Sequence, residues 1–263
     1  MPSLQPDRIL QLLGPVGQCL QLVVVDSIDS TNQHVLMLAD QGAPNGYCLV
    51  ARNQLAGRGR QGRSWLSDGE GSLTFSLLWR FQGNATKLAG LPLVASLAVA
   101  QALERLHVAG LALKWPNDLL RHGRKIAGVL VEISDAMDGA IGAVIGIGLN
   151  VVLEDSLSDQ LPNPATDLRN AAGEAPERDI VLAAILETLI AHLQKFSEAG
   201  FAPFEAEWMA RCAHRERVIR LTLPNRRVEI GECAGLSEDG ALLLRQNGAI
   251  TRFLAGDISL RLT

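Results

Sequence analysis

The chain has 263 residues, 48% of them hydrophobic and 20% charged, a globular composition long enough for one large domain and a small one. A net charge of −4 and a pI near 5.8 speak against wholesale binding to a phosphate backbone, which leaves a basic footprint across a domain. The N-terminus shows no basic region, apolar core and small-residue cleavage site in series, and no uninterrupted apolar run reaches about 18 residues, so a soluble cytoplasmic protein without a membrane partner is expected.

Residues 7–21 are predicted to form one short helix broken near Gly14-Pro15, a lead (1–21) too small for a helix-turn-helix unit. No nucleic-acid partner is therefore expected. Leu22 to Asp26 reads as a strand, and Ser27 to Asn32 supplies N-cap candidates for a helix carrying Val35, Leu36, Leu38 and Ala39 on its apolar side. Ser30, Thr31 and Asn32 either cap that helix or face a ligand from its N-terminus. Tyr47 to Asn53 is a second strand, leading into Gln54-Leu-Ala-Gly57-Arg58-Gly59-Arg60-Gln-Gly-Arg63-Ser-Trp65.

In that stretch glycines alternate with arginines, so backbone can approach a ligand closely while guanidinium forks converge on it. Arg52, Arg58, Arg60 and Arg63 form a positive patch on an acidic protein, either a solvated loop or an anion grip. With this many glycines the loop is expected to be mobile when empty. After the turn Asp68 to Gly71, residues 72–81 read as a strand, and 86–107 as a buried helix starting near 91, past Gly90.

Leu111 to Asp118, Leu119 to Arg121 and Arg124 to Glu132 read as strand, bend, strand and hairpin around His122-Gly123. Only four lysines stand against twenty arginines, and two of the four, Lys114 and Lys125, fall in this segment with Asp118. Charges flanked by apolar strand residues are costly unless paired, which points to a task for a compact ammonium. Residues 140–152 form an apolar strand punctuated by Gly142, Gly146 and Gly148 and ending near Asn150. Those glycines either let a flat ligand lie on the sheet or mark a bulge. A polar loop (162–176), a long helix (179–197) and a shorter one (203–211) follow. From about residue 214, short β-rich runs between Pro-Asn, Glu-Asp-Gly and Gln-Asn-Gly turns predict a small antiparallel barrel. Cys19, Cys48, Cys212 and Cys233 have no metal-site spacing and read as buried thiols in a reducing compartment.

Taken together, Asp29 to Asn32, Gln54 to Trp65, Lys114-Trp-Pro-Asn-Asp118, Arg124-Lys-Ile-Ala-Gly-Val-Leu-Val-Glu132 and Gly146-Ile-Gly-Leu-Asn150 stand in the order and approximate spacing of the biotin protein ligases. From about residue 22 to its end the chain resembles that family; Gly240 to Leu244 and Gly256 to Leu260 look like its C-terminal domain. The resemblance implies an α+β protein: a mixed-sheet, biotin/lipoate-ligase-like catalytic domain (22–213) followed by a small SH3-like β-barrel (214–263). It implies an enzyme that activates biotin with MgATP to biotinyl-5'-AMP, releasing pyrophosphate, and transfers biotin to a lysine of an apo carrier domain such as the biotin carboxyl carrier protein. ATP with Mg2+ and biotin are then substrates. No tightly bound prosthetic group and no dedicated protein ligand for the metal are expected, and monomer and homodimer both stay open.

Carried over onto this sequence, the resemblance assigns Ser30, Thr31, Asn32, Gln54, Gly57, Arg58, Gly59, Arg60, Lys125 and Gly128 to biotin. Arg60, Arg63, Trp65, Lys114, Asn117 and Asn150 are assigned to ATP and the adenylate. Lys125, Arg58, Arg60 and Asp118 become the catalytic group, with Lys125 the cation at the acyl oxygen or α-phosphate and Asp118 a candidate base for the incoming lysine. Some family members carry an N-terminal winged-helix repressor domain, for which this chain has no room, and the Met-Lys-Met signature of biotin carriers is absent, so a separate acceptor is expected. A lipoate-protein ligase shares fold and chemistry but fits the glycine-arginine stretch and the C-terminal module less well; a non-catalytic biotin sensor would not need Lys125.

Overall fold

The computed structural model describes residues 4–67, 69, 71–83, 85–134, 139–154, 164–169 and 173–260. Parts of two expected segments, the turn at 68–71 and the polar loop at 162–176, lie outside the described residues. The lead folds as helix α1 (Pro6–Leu13) followed by a 3-10 turn (Gly14–Cys19). Gly14 ends the helix at φ 54°, a left-handed conformation that suits glycine, which places the break where the sequence predicts it.

Strands β1 (Gln21–Ile28), β2 (Tyr47–Gln54), β3 (Ser72–Gln82), β4 (Leu111–Lys114), β5 (Asp118–Arg121), β6 (Arg124–Ile133) and β7 (Ala140–Asn150) form one seven-stranded sheet of order β1-β2-β3-β7-β6-β5-β4. β1 and β2 run parallel, joined by crossover helix α2 (Thr31–Asp40), and every other neighbouring pair is antiparallel. The mixed sheet is the one the sequence predicts.

Alternation along the strands divides the sheet into two faces. On one, Ile145, Ile147 and Leu149 of β7 and Phe75 and Leu77 of β3 join the main core with α3 (Leu91–Arg105) and α4 (Arg178–Ala199). Eleven of the fifteen residues of α3 are buried, which explains a helix apolar on every side. On the other face Val35 and Ala39 of α2 cover Leu49, Leu78 and Val144. Further along that same side of β7 come Gly146 and Gly148, which carry no side chain of their own. β3 and β7 pair without a shift from Ser72↔Asn150 to Gln82↔Ala140, so these glycines mark no bulge.

After α5 (Glu205–Ala210), strands β8 (Val218–Thr222), β9 (Val228–Leu236), β10 (Leu242–Gln246), β11 (Ala249–Phe253) and β12 (Asp257–Leu260) form an antiparallel sheet of order β11-β10-β9-β8-β12. Asn247 and Gly248, both at positive φ, close the two-residue turn between β10 and β11. This sheet packs on the larger one: Ile219, Leu221, Leu244 and Ile258 belong to the main core, and Trp115 Nε1 donates to the Gly240 carbonyl at 3.0 Å. Gly240, at φ +84°, leaves no room for a side chain, since a Cβ there would stand 2.6 Å from Leu93. Two of the four thiols depart from expectation. Cys48 and Cys233 are buried, but Cys19 is exposed at the end of the 3-10 turn and Cys212 is half-buried after α5, because neither lies on a core-facing position of a strand or helix.

Candidate functional site

A cavity of about 360 Å³ opens on the sheet face that α2 leaves uncovered. Its floor is made by two adjacent rows of the ladder, Leu130 opposite Gly146 and Gly128 opposite Gly148. A Cβ on Gly146 would stand 2.1 Å from Asn32 Oδ1, and one on Gly148 2.4 Å from the Trp65 indole. The glycines thus admit flat groups to the sheet, and the flat group lying on Gly148 is the protein's own Trp65. Its buried Nε1 has no hydrogen-bond partner among the described residues.

One wall is polar and uncharged. Ser30 caps α2, accepting from Gln33 N at 3.4 Å, while also lining the cavity, so the capping and ligand-facing readings both hold for its position. Gln54 Oε1 accepts from Thr31 N at 2.7 Å and stands 3.0 Å from Thr31 Oγ1. Ser76 Oγ lies 2.8 Å from both Thr31 Oγ1 and Asn32 Oδ1. Asn32 Nδ2 donates to Glu132 Oε2 at 2.8 Å.

The glycine-arginine stretch folds over the cavity as a tight hairpin. Trp65 N donates to Gly57 O at 2.8 Å and Gly59 N to Arg63 O at 2.7 Å, with Gln61 and Gly62 at positive φ in the turn. Gly57 serves the hairpin itself, since a Cβ there would stand 2.4 Å from the Trp65 carbonyl oxygen. Each arginine of the hairpin has an acceptor. Arg58 pairs with Glu132 at 3.2 Å, Arg60 donates to Asn117 Oδ1 at 3.1 Å, and Arg63 Nη2 reaches both carboxylate oxygens of Asp257, at 2.9 and 3.0 Å. Burial lowers the Arg60 pKa from its ordinary value; Asp257 and Asp118 oppose that shift and Arg63 adds to it. Guanidinium groups held this way carry further N–H donors that can take an incoming anion beside these acceptors or in exchange for them.

At the far side Lys125 Nζ lies 2.6 Å from Asp118 Oδ1 and 5.7 Å from the Trp65 ring centroid, within cation–π range. The backbone of Lys125 is held by the passing segment at Pro164 and Thr166, and Asn150 Nδ2 donates to Thr166 O at 3.0 Å. Of the residues assigned to biotin, ATP or catalysis, all line the cavity except Gly57 and Lys114, and Arg52 of the positive patch lies outside it, on Asp26 at 3.4 Å and the Leu4 carbonyl. Lys114 ends β4 opposite Asp118, and its charge acts on buried His214, whose pKa falls to about 4 through burial first and then Lys114 and Arg217. Three participants were not singled out: Ser76, Glu132 and Asp257. Alternation along β3 puts Ser72, Thr74 and Ser76 on one face, a signal that could have found Ser76. The two acids stand inside recognised motifs, with nothing local to tell their partners. Among the described residues no group of three or more His, Cys, Asp or Glu side chains could hold a metal ion.

Residues 24–150 match the biotin/lipoate A/B protein ligase family, and residues 216–261 match the biotin protein ligase C-terminal domain. The bifunctional ligase/repressor of Escherichia coli is 33% identical over 259 residues, which cover 98% of this chain and 80% of that protein. The biotin–[acetyl-CoA-carboxylase] ligase of Paracoccus denitrificans is 35% identical over 222 residues, 82% of this chain and 91% of that one. The solved structure of the biotin protein ligase from Aquifex aeolicus in complex with biotin and ATP aligns with a TM-score of 0.75 at 33% identity, covering 92% of this chain and 98% of that one.

Proposed function

The chain belongs to the biotin protein ligase family, and from that premise we propose how its residues divide the work of the reaction. It is an ATP-dependent ligase that activates biotin to biotinyl-5'-AMP with release of pyrophosphate, then transfers biotin to protein. The acceptor in our reading is a lysine of a biotin carboxyl carrier protein or equivalent apo carrier domain, met in the cytoplasm. One observation carries the assignment of roles: three arginines and Lys125 converge over a glycine-floored cavity whose opposite wall is polar and uncharged.

The uncharged wall of Ser30, Thr31, Asn32 and Gln54 suits the ureido ring, whose buried polar atoms need partners. Biotin's carboxylate then points toward the cations. That carboxylate must attack the α-phosphate of MgATP, and two anions approach only where their repulsion is offset. Arg58 and Arg60, fixed above the cavity by the hairpin, meet the carboxyl end, and Arg63, its Nη2 kept on Asp257, offers Nη1 to phosphate. Lys125 reaches the acyl oxygen or α-phosphate, where negative charge grows in both half-reactions. Trp65 and Asn150 form the adenine side, the indole as a stacking face and the amide as hydrogen-bond partner. Asp118, in contact with Lys125, is placed to receive the proton of the incoming lysine.

Incubation with MgATP, biotin or lipoate, and an apo carrier domain tests the reading through the carrier's mass. Biotin addition is the expected result, and transfer of lipoate in its place would overturn the substrate. Single-turnover transfer from preformed adenylate tests Asp118 alone: Asp118→Asn should slow it, and an unchanged rate removes the base role.

A further inference from the structure

Glu132 stands apart from the residues discussed so far, because its two carboxylate oxygens serve different parts of the cavity. Oε2 accepts from Asn32 Nδ2 at 2.8 Å, in the polar wall, and Oε1 pairs with Arg58 at 3.2 Å, on the hairpin above. A carboxylate can only accept hydrogen bonds, so Asn32 must turn its NH2 toward Glu132 and its Oδ1 toward Ser76. An amide oxygen also only accepts. Ser76 therefore directs its single proton to Asn32 Oδ1 at 2.8 Å; Thr31 Oγ1, also 2.8 Å from Ser76 Oγ, lies 3.0 Å from Gln54 Oε1, a second acceptor for its one proton. The hydrogen bonds run one way, from Ser76 to Asn32 to Glu132, and one carboxylate sets the direction of both.

We propose that Glu132 is a positioning residue for biotin, fixing the donor and acceptor sense of the polar wall through Asn32 while tying Arg58 of the hairpin to the same strand. The inference rests on the reading of this cavity as the biotin site. With the wall so oriented, the second N–H of Asn32, which makes only a long 3.5 Å contact to the Leu130 carbonyl, can turn to a ring carbonyl. Neutralising the acid reverses that. In Glu132→Gln, an amide that presents oxygen to Arg58 must present NH2 to Asn32, which then turns its oxygen to that amide and its NH2 to Ser76, taking away the acceptor of the Ser76 proton.

Biotin-dependent ATP–pyrophosphate exchange, with KM measured separately for biotin and for ATP, tests this. Glu132→Gln should raise the biotin KM about tenfold or more, the worth of a hydrogen bond to a charged group, while kcat at saturating biotin and the ATP KM stay near wild type. Glu132→Asp, still acceptor-only, should recover part of the loss. An unmoved biotin KM in Glu132→Gln, a fall in kcat with the biotin KM intact, or an aspartate variant no better than the glutamine would each overturn the proposal. Should the isosteric glutamine variant not fold, the aspartate variant decides alone: a raised biotin KM with ATP KM unmoved supports the role, and two unchanged values overturn it. A wild-type protein that exchanges pyrophosphate without regard to biotin would instead sink the reading of the cavity, a result separable from every outcome above.

Discussion

At the scale of single residues, the site is shaped as much by absent side chains as by present ones. Gly148 is the clearest case, because the indole of Trp65 lies where its Cβ would be, 2.4 Å away. The strand cannot retreat, since β7 is held on both sides by β3 and β6. Gly148→Ala should therefore push Trp65 off the sheet and away from Lys125. Overpacking of this kind costs about 1–3 kcal/mol, and if that cost falls on the adenine side the ATP KM rises about tenfold. Steady-state kinetics and tryptophan emission check it together, and a variant with both unchanged would remove Trp65 from the nucleotide pocket.

At the scale of elements, the arginine hairpin is held by strands that lie far from it in the chain. Glu132 on β6 holds Arg58, and Asp257 on β12 holds Arg63, a partner 194 residues away. The first strand of contact belongs to the large sheet and the second to the small one, so the hairpin bridges both. Arg63 and Asp257 are well exposed, with side-chain exposures of 53% and 38%, so solvent screens their pair and its worth is modest. Asp257→Asn should leave the fold intact and speed the escape of preformed adenylate by up to about fivefold, what an exposed pair of up to about 1 kcal/mol allows. Retention of radiolabelled adenylate through a desalting column gives the answer. Equal retention in variant and wild type would mean that the small sheet does not help to close the hairpin.

At the scale of the whole molecule, acid should part the two sheets' junction before it affects the cavity. His214 is buried where the chain passes from β4's neighbour segment into the small sheet, and its folded pKa is lowered from 6.5 to about 4, chiefly by burial and then by Lys114 and Arg217. Between those values the unfolded chain binds a proton that the native chain does not, so stability falls as pH drops through this window and is recovered above it. The loss by pH 5 is of order 2 kcal/mol. Urea unfolding at pH 7.5 and pH 5 should show that decline in wild type and a flatter dependence in His214→Leu. An identical slope in both would assign the acid sensitivity elsewhere.

Local chemistry by itself determined most elements of this protein and the identity of its cationic site. Period-two apolar runs mark the strands, Gly14-Pro15 and Asn247-Gly248 mark breaks and turns, and the spacing of Gln54 to Trp65, Lys114 to Asp118 and Arg124 to Glu132 marks a family in whose chemistry we propose tasks for Arg58, Arg60 and Lys125. Those signals are carried by neighbours in the chain, which is why they survive without coordinates. Only the tertiary structure decided what each charge meets. That Trp65 lies flat on Gly148, that Lys114 acts on His214 by its charge and does not line the cavity, and that Glu132 and Asp257 hold the hairpin all depend on how distant strands come side by side. A periodicity records which face a residue takes, but the partner across the space is set by the packing of sheets and the docking of one on the other, which no local spacing encodes.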